Sequence, residues 1–326
     1  MKNKAIITAL SANTIIAVMK FIVAFISGSA SMLSEGIHSA ADTLNQVVLL
    51  VGMKRSKKLP DAKHPFGYAR AVFFASFCVA SLLFFVGGAF SLLESIEKIG
   101  HAINDVHPGI DNRSLLIAAG ILAVSIVLES ISLHTAFREV REEQEKAGTH
   151  KKLLRFYRET SNSPLIVIVT EDIAAVTGLG IALAGVLLTY FTKNPIFDAI
   201  GGAAIGVLLI LAAFILGREI ASLIIGEALP ESAIEKIRAI VEAEPLAAGC
   251  ENIKTVIQGS NTVLVEVDVI YPASDAATGE AVMASIVRIK QEIKALWAER
   301  DIYVSTCVEP VPPAEDAPQK PPADML

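Results

Sequence analysis

Six apolar stretches, at about 5–27, 31–53, 71–96, 114–136, 162–190 and 195–217, are each long enough to cross the hydrocarbon core of a bilayer. Nothing constrains this chain more. Backbone polar groups find no water at that depth, so each stretch must satisfy its own hydrogen bonds as a helix. Hydrophobic residues make up 53% of the sequence and mean hydropathy is +0.54, above the range of ordinary soluble domains. The first stretch is too long for a signal peptide, lacks a small-residue cleavage site, and is not preceded by an Arg-rich transit segment. Orientation follows from the basic residues. Lys2 and Lys4 precede the first stretch; Lys54, Arg55, Lys57, Lys58, Lys63 and Arg70 follow the second. Arg138, Arg141, Lys146, Lys151, Lys152, Arg155 and Arg158 follow the fourth, whereas Lys98, Arg113 and Lys193 are alone on the opposite side. Both termini are therefore expected on the cytoplasmic side of a plasma (inner) membrane, and a mitochondrial inner membrane fits as well. The net charge of −6 is spread over several compartments and decides little.

The helices are not uniformly apolar. Asn13 and Lys20 lie in the first, Glu129 and His134 in the fourth, Glu171 and Asp172 in the fifth. In the second, Glu35, His38, Asp42 and Asn45 fall within roughly 80° of one another on a 3.6-residue helix. Each unpaired charge there costs several kcal/mol, so these groups should face a bundle interior. An imidazole, two carboxylates and an amide on one stripe form a donor set for a metal cation. Lys20 is read as the partner of a structural carboxylate or as a snorkelling side chain.

Beyond Gly217 the pattern changes. Glu231–Glu244 reads as an amphipathic helix, Asn252–Ile257 and Val263–Tyr271 as strands joined at Gln258-Gly259-Ser260, 279–298 as a helix, and Asp301–Val308 as a strand. Val265, Val267 and Val269 alternate with Glu266 and Asp268, as in a sheet buried on one face. The expected organisation is a six-helix membrane domain over 1–217, a small α+β domain over 218–310, and a disordered proline-rich tail over 311–326. Cys78, Cys250 and Cys307 provide neither a paired framework nor a CxxC signature. The chain carries no phosphate-binding loop, dinucleotide fingerprint, nucleophile elbow or HExxH, so an enzyme or a nucleotide-driven pump is not expected.

Taken together, Asn13 and Lys20, Gly28-Ser-Ala-Ser31, His38-x-x-x-Asp42, His64-Pro-Phe-Gly-Tyr68, and Pro195 with Asp198 resemble the cation diffusion facilitator family. The resemblance covers about 5–310. The wording of Glu35–Gln46 and the Glu171-Asp172 pair are similar to its divergent branch of zinc-transporter-9-like proteins. It implies six transmembrane helices, a cytoplasmic ferredoxin-like α+β domain, a homodimer, and proton-coupled export of a divalent transition metal without a prosthetic group. It also implies two ligands from helix two and two from helix five. His38, Asp42 and Asp172 match; the fourth position is Ile168, which binds no metal. Glu35, Glu171, Asn45 or water is left to complete the set.

One imidazole with several carboxylates suits zinc first, and manganese, iron(II) or cobalt(II) as well. The ligands must shed protons to bind such a cation, so alternating access would yield antiport; no nucleic-acid partner is implied. The resemblance points to a second metal site in the loop after helix two, where Asp61 and His64 match but Tyr68 stands where a further His often lies. In the α+β domain the matching regulatory positions read Glu251, Asp268, Cys307 and Glu309, and the expected role there is dimerisation. The alternative is a membrane scaffold that kept the fold and lost transport, and Ile168 is its best support.

Overall fold

The computed structural model describes residues 3–103, 112–146, 162–272, 277–298 and 300–310, with the side chains of the first helix described from Thr14 onward. Segment 311–326, His107, His150, Lys151, Lys152, Arg155, Arg158 and the side chains of Asn13, Lys146 and Glu309 lie outside the described residues. Two compact units divide between Ile225 and Gly226. The expected boundary was Gly217, but Arg218–Ile225 continue the helix without a breaker, because hydropathy falls there while helix propensity does not.

The first unit contains α1 (Asn3–Ser27), α2 (Ala30–Ser56), α3 (Ala71–Ile103, with a π-helical segment at Leu83–Ala89), α4 (Asn112–Lys146), α5 (Ser163–Thr192) and α6 (Ile196–Ile225). Among the described residues α3 to α6 are long and apolar enough to span a bilayer. The described apolar part of α1, Thr14–Ser27, is shorter, and α2 is diluted by Glu35, His38, Asp42 and Asn45. Element ends follow local chemistry. Gly28, at φ +66°, turns the chain between α1 and α2, and Ser29 caps α2 by accepting from the Met32 amide at 3.0 Å. Pro164 sits in the first turn of α5, and Lys193 in the left-handed region ends it.

The unit has its polarity turned inside out. Phe25, Phe74, Phe85, Leu93, Val124, Ile131, Phe191 and Phe214 point outward, whereas Lys20, Glu35, His38, Asn45, Glu171 and Asp198 are buried. A water-soluble bundle does the reverse; an apolar exterior with polar groups indoors suits lipid. The dry part of the core gathers Met32, Leu83, Leu122, Leu179, Ile205 and Leu209. Helix α2 packs against α1, α3, α5 and α6, and α4 packs against α1 and α5.

The second unit runs α7 (Glu231–Glu242), β1 (Gly249–Ile257), β2 (Thr262–Tyr271), α8 (Gly279–Ala295) and β3 (Asp301–Pro310). Sheet order is β1-β2-β3, with β1 antiparallel and β3 parallel to β2. The parallel pair needs a crossover, which α8 supplies. Val263, Val265, Val267, Val269 and Tyr271 are buried, as are Ile237 and Val241 of α7 and Ile289 and Ile293 of α8. The alternating valines therefore form one layer of a helix-on-sheet core, and the observed strands begin and end within three residues of the expected ones.

Candidate metal centre

Helix α2 brings the stripe together as its periodicity requires. His38 is 1% exposed and its Nδ1 lies 3.6 Å from Oδ1 of Asp42, one turn along. Neither ring nitrogen of His38 has a hydrogen-bond partner among the described residues, and Oδ1 of Asp42 has none either. Buried polar atoms are nearly always paired, so an unpaired imidazole beside an unpaired carboxylate oxygen calls for a ligand.

The other stripe members are engaged. Nζ of Lys20, on α1, donates to Oε2 of Glu35 at 3.2 Å and to Oγ of Ser39 at 2.8 Å. Lysine and glutamate are both fully buried, so one oxygen of Glu35 is held in an internal ion pair, while Oε1 has no hydrogen-bond partner among the described residues. Its second oxygen is directed at α5, where a Cβ on Gly178 would come within 2.8 Å of it; glycine there makes the room. Asn45 donates its amide to Glu171 of α5. Asp172 accepts from Ser132 of α4 at 2.9 Å. The two neighbouring carboxylates of α5 are thus drawn to different helices, as their separation of about 100° round the helix demands. Ile168, one turn before Asp172, packs with Ala136, Val140, Leu165 and Val169. It is a packing residue.

His38 and Asp42 lie on α2 and Glu171 and Asp172 on α5, while their partners are not legible in the sequence. Asn45–Glu171 and Ser132–Asp172 are contacts between helices, for which the sequence holds no register signal. Glu129 of α4 was seen only as an isolated intramembrane acid. Its charge acts on Asp42, Lys20 and His38 and on Glu171 and Asp172. Five carboxylates therefore share one region with a single described ammonium group, that of Lys20. At bilayer depth such an excess must be covered by protons or by a cation.

The loop after α2 is organised differently. Asp61 and His64 come together, with Nδ1 3.4 Å from Oδ1. Both carboxylate oxygens of Asp61 are already used. One accepts from Tyr68 at 2.7 Å and Lys58 at 3.1 Å, the other from the amides of Lys63 and His64. The Tyr68 hydroxyl, the His64 amide and the Lys58 ammonium hold the Asp61 carboxyl well below the usual range. His64 stacks on Tyr68 with ring centroids 4.1 Å apart. Asp61 acts here as the knot of a tight loop.

Among the described residues, the group whose metal-ligating atoms all lie within 4.8 Å of one another is Glu266, Asp268 and Cys307, with Asp268 buried and Cys307 exposed. Asp268 and Cys307 are cross-strand partners, and Glu266 joins them where Glu251 was expected. Lys254 reaches Glu266 at 3.5 Å and Asp268 at 4.0 Å, so an ammonium already covers those charges.

Residues 6–225 match the family profile described as the cation efflux transmembrane domain. The chain is 29% identical over 304 residues to a Xenopus laevis protein named proton-coupled zinc antiporter SLC30A9, mitochondrial; the match covers 92% of this chain and 52% of that protein. The Mus musculus protein of the same name is 30% identical over 268 residues, 82% of this chain and 46% of its own length. Metal tolerance protein C4 of Arabidopsis thaliana is 30% identical over 236 residues, 72% of this chain and 50% of its own. The chain spans about half the length of these curated relatives.

Proposed function

Because this chain belongs to the cation efflux family of multi-pass membrane proteins, we propose that it exchanges a divalent transition metal for protons, with zinc as the first candidate. The observation that carries the reading is His38: an imidazole buried among helices, unpartnered at both nitrogens, beside Asp42, whose charge acts on the acidic pair of α5. His38, Asp42 and Asp172 are the core ligands. Glu35 belongs to Lys20, and Glu171 is steadied by Asn45. Asp172 accepts from Ser132 through Oδ2 alone, which leaves Oδ1 to share one cation with α2 and makes Ser132 a tie between that ligand and α4.

Coupling to protons follows from ligand chemistry. A protonated imidazole has no lone pair for a metal, and a protonated carboxyl is a poor ligand. Metal entry therefore expels protons, and proton entry from the other side expels metal. Relatives named as proton-coupled zinc antiporters support the same exchange. A donor set of one nitrogen and several carboxylate oxygens also accommodates manganese, iron(II) and cobalt(II). All six helices of the first unit cross the membrane in this reading. Both termini face the cytoplasm or its topological equivalent, across a plasma or a mitochondrial inner membrane. The second unit joins two copies of the chain, and no enzymatic step or prosthetic group is needed.

Ile168 favours one rival, a scaffold that no longer transports. Proteoliposomes containing the full chain decide between them. Wild type should move zinc against a counterflow of protons, and Asp42→Ala should abolish both. No flux for zinc, manganese, iron(II) or cobalt(II), in vesicles where another family member works, would leave the scaffold.

A further inference from the structure

Glu129 is the intramembrane acid that this scheme leaves without a task. On α4, Leu115, Ala118, Leu122, Ser125, Glu129, Ser132 and Ala136 recur at alternating steps of three and four, which places them on one stripe. Leu115, Ala118, Leu122, Ser125 and Ala136 are buried, Glu129 is half-buried and Ser132 is exposed. The stripe opens where its polar members sit. Ser132 shows what lies there, since its hydroxyl meets Asp172 at 2.9 Å. Glu129 stands three residues earlier, on the same face. The charges facing it are Lys20 from α1, His38 and Asp42 from α2, and Glu171 and Asp172 from α5. Among the described residues its carboxylate has no hydrogen-bond or ion-pair partner.

A gathering of acids is not in itself a site. His38 makes the difference, because both of its nitrogens are unpartnered, it is 1% exposed, and it looks onto Asp42. The helix that should complete the ligand set from α5 presents Ile168 instead, packed into the α4–α5 seam. We propose that Glu129 is a direct ligand of the transported cation, supplied from α4 in place of the donor that Ile168 does not provide. The inference rests on the metal-exchange reading. It gives a set of His38, Asp42, Glu129 and Asp172 drawn from three helices, three of its four donors being carboxylate oxygens. Such a set is more tolerant of manganese, iron(II) and cobalt(II) than an imidazole-rich one. It also makes α4 a moving part of the exchange, because Glu129 and Ser132 both engage site residues from the same stripe.

Cobalt(II) is the probe, bound to the purified full chain in detergent. Glu129→Gln should weaken cobalt binding about tenfold or more and change the visible d–d spectrum, while Glu94→Gln, paired with Lys98 on α3, should alter neither. Glu129→Cys in a chain that also carries Cys307→Ser should gain a sulfur-to-cobalt charge-transfer band that Cys307→Ser alone lacks, which only direct ligation produces. The proposal is overturned if Glu129→Cys in that chain binds cobalt without that band, or if Glu129→Gln keeps wild-type affinity and spectrum while His38→Ala loses binding. Wild type that binds neither cobalt nor zinc would overturn the metal-exchange reading along with it. The two failures are therefore distinguishable.

Discussion

Lys20 and Glu35 show how much a single pair decides in this chain. Both are buried, at 1% and 0% exposure, and Ser39 accepts a second hydrogen bond from the ammonium. Removing one member of a buried pair strands the other charge, at about 3–5 kcal/mol, whereas removing both is often close to neutral. Lys20→Met is therefore expected to lower the unfolding midpoint of the detergent-solubilised chain sharply. Lys20→Met with Glu35→Met should recover most of the loss. A double-mutant cycle on thermal unfolding measures the coupling; additive losses would mean that the pair is not joined in the membrane. The same pair fixes one oxygen of Glu35, which shares the stripe of His38, and leaves the other without a hydrogen-bond partner among the described residues. Helical spacing placed Glu35 correctly, but a lysine fifteen residues earlier, on another helix, determines what it does. No periodicity within α2 could reveal that.

Elements are held by a few polar ties between their ends. Asp198, in the first turn of α6, accepts from Ser29 Oγ at 2.7 Å and from the Ser31 amide at 3.4 Å, and its own carbonyl accepts from Ser31 Oγ at 2.8 Å. The α1–α2 corner is thereby fastened to the start of α6, where a carboxylate also suits the helix dipole. Asp198→Ala should cost about 1.5–3 kcal/mol through the lost charged hydrogen bonds. Ser29→Ala should cost about 1 kcal/mol as a lost cap. Thermal melts of the two variants check the order, and equal losses would make Asp198 no more than a dipole partner. The helices themselves were legible in the sequence because long, predominantly apolar runs have few alternatives, and β2 because Val265, Val267 and Val269 alternate with acids. The end of α6 was not, since Arg218 and Glu219 leave the apolar core without leaving the helix. The membrane site was half legible. Spacing on α2 and the acids of α5 named its candidate donors, whereas Ser132, Asn45 and Glu129 are brought beside them only through the packing of helices against one another.

At the scale of the whole molecule, the two units carry separate cores and one convenient reporter. The only tryptophan is Trp297, just beyond α8 in the second unit, so tryptophan emission follows that unit's unfolding and not that of the bundle. There Arg288 of α8 grips Glu244, which follows the end of α7, with two guanidinium hydrogen bonds. The contact ties the two helices over one face of the sheet, and the guanidinium holds the Glu244 carboxyl below its ordinary value of 4.5. The sign follows from proton linkage. An acid whose folded value is lowered stabilises the fold fully above its unfolded value, and that contribution disappears as pH falls through the folded one. Urea midpoints read from Trp297 should therefore fall as the medium is acidified below about pH 4.5, and Glu244→Gln should flatten the fall in that window. Near neutral pH the variant should already be the less stable protein, because the charged contact is intact only in the wild type. Arg288 is half exposed, so added salt should shrink the difference between the two proteins. A midpoint in Glu244→Gln that drops as steeply with acid as the wild type's would place the acid sensitivity of this unit elsewhere.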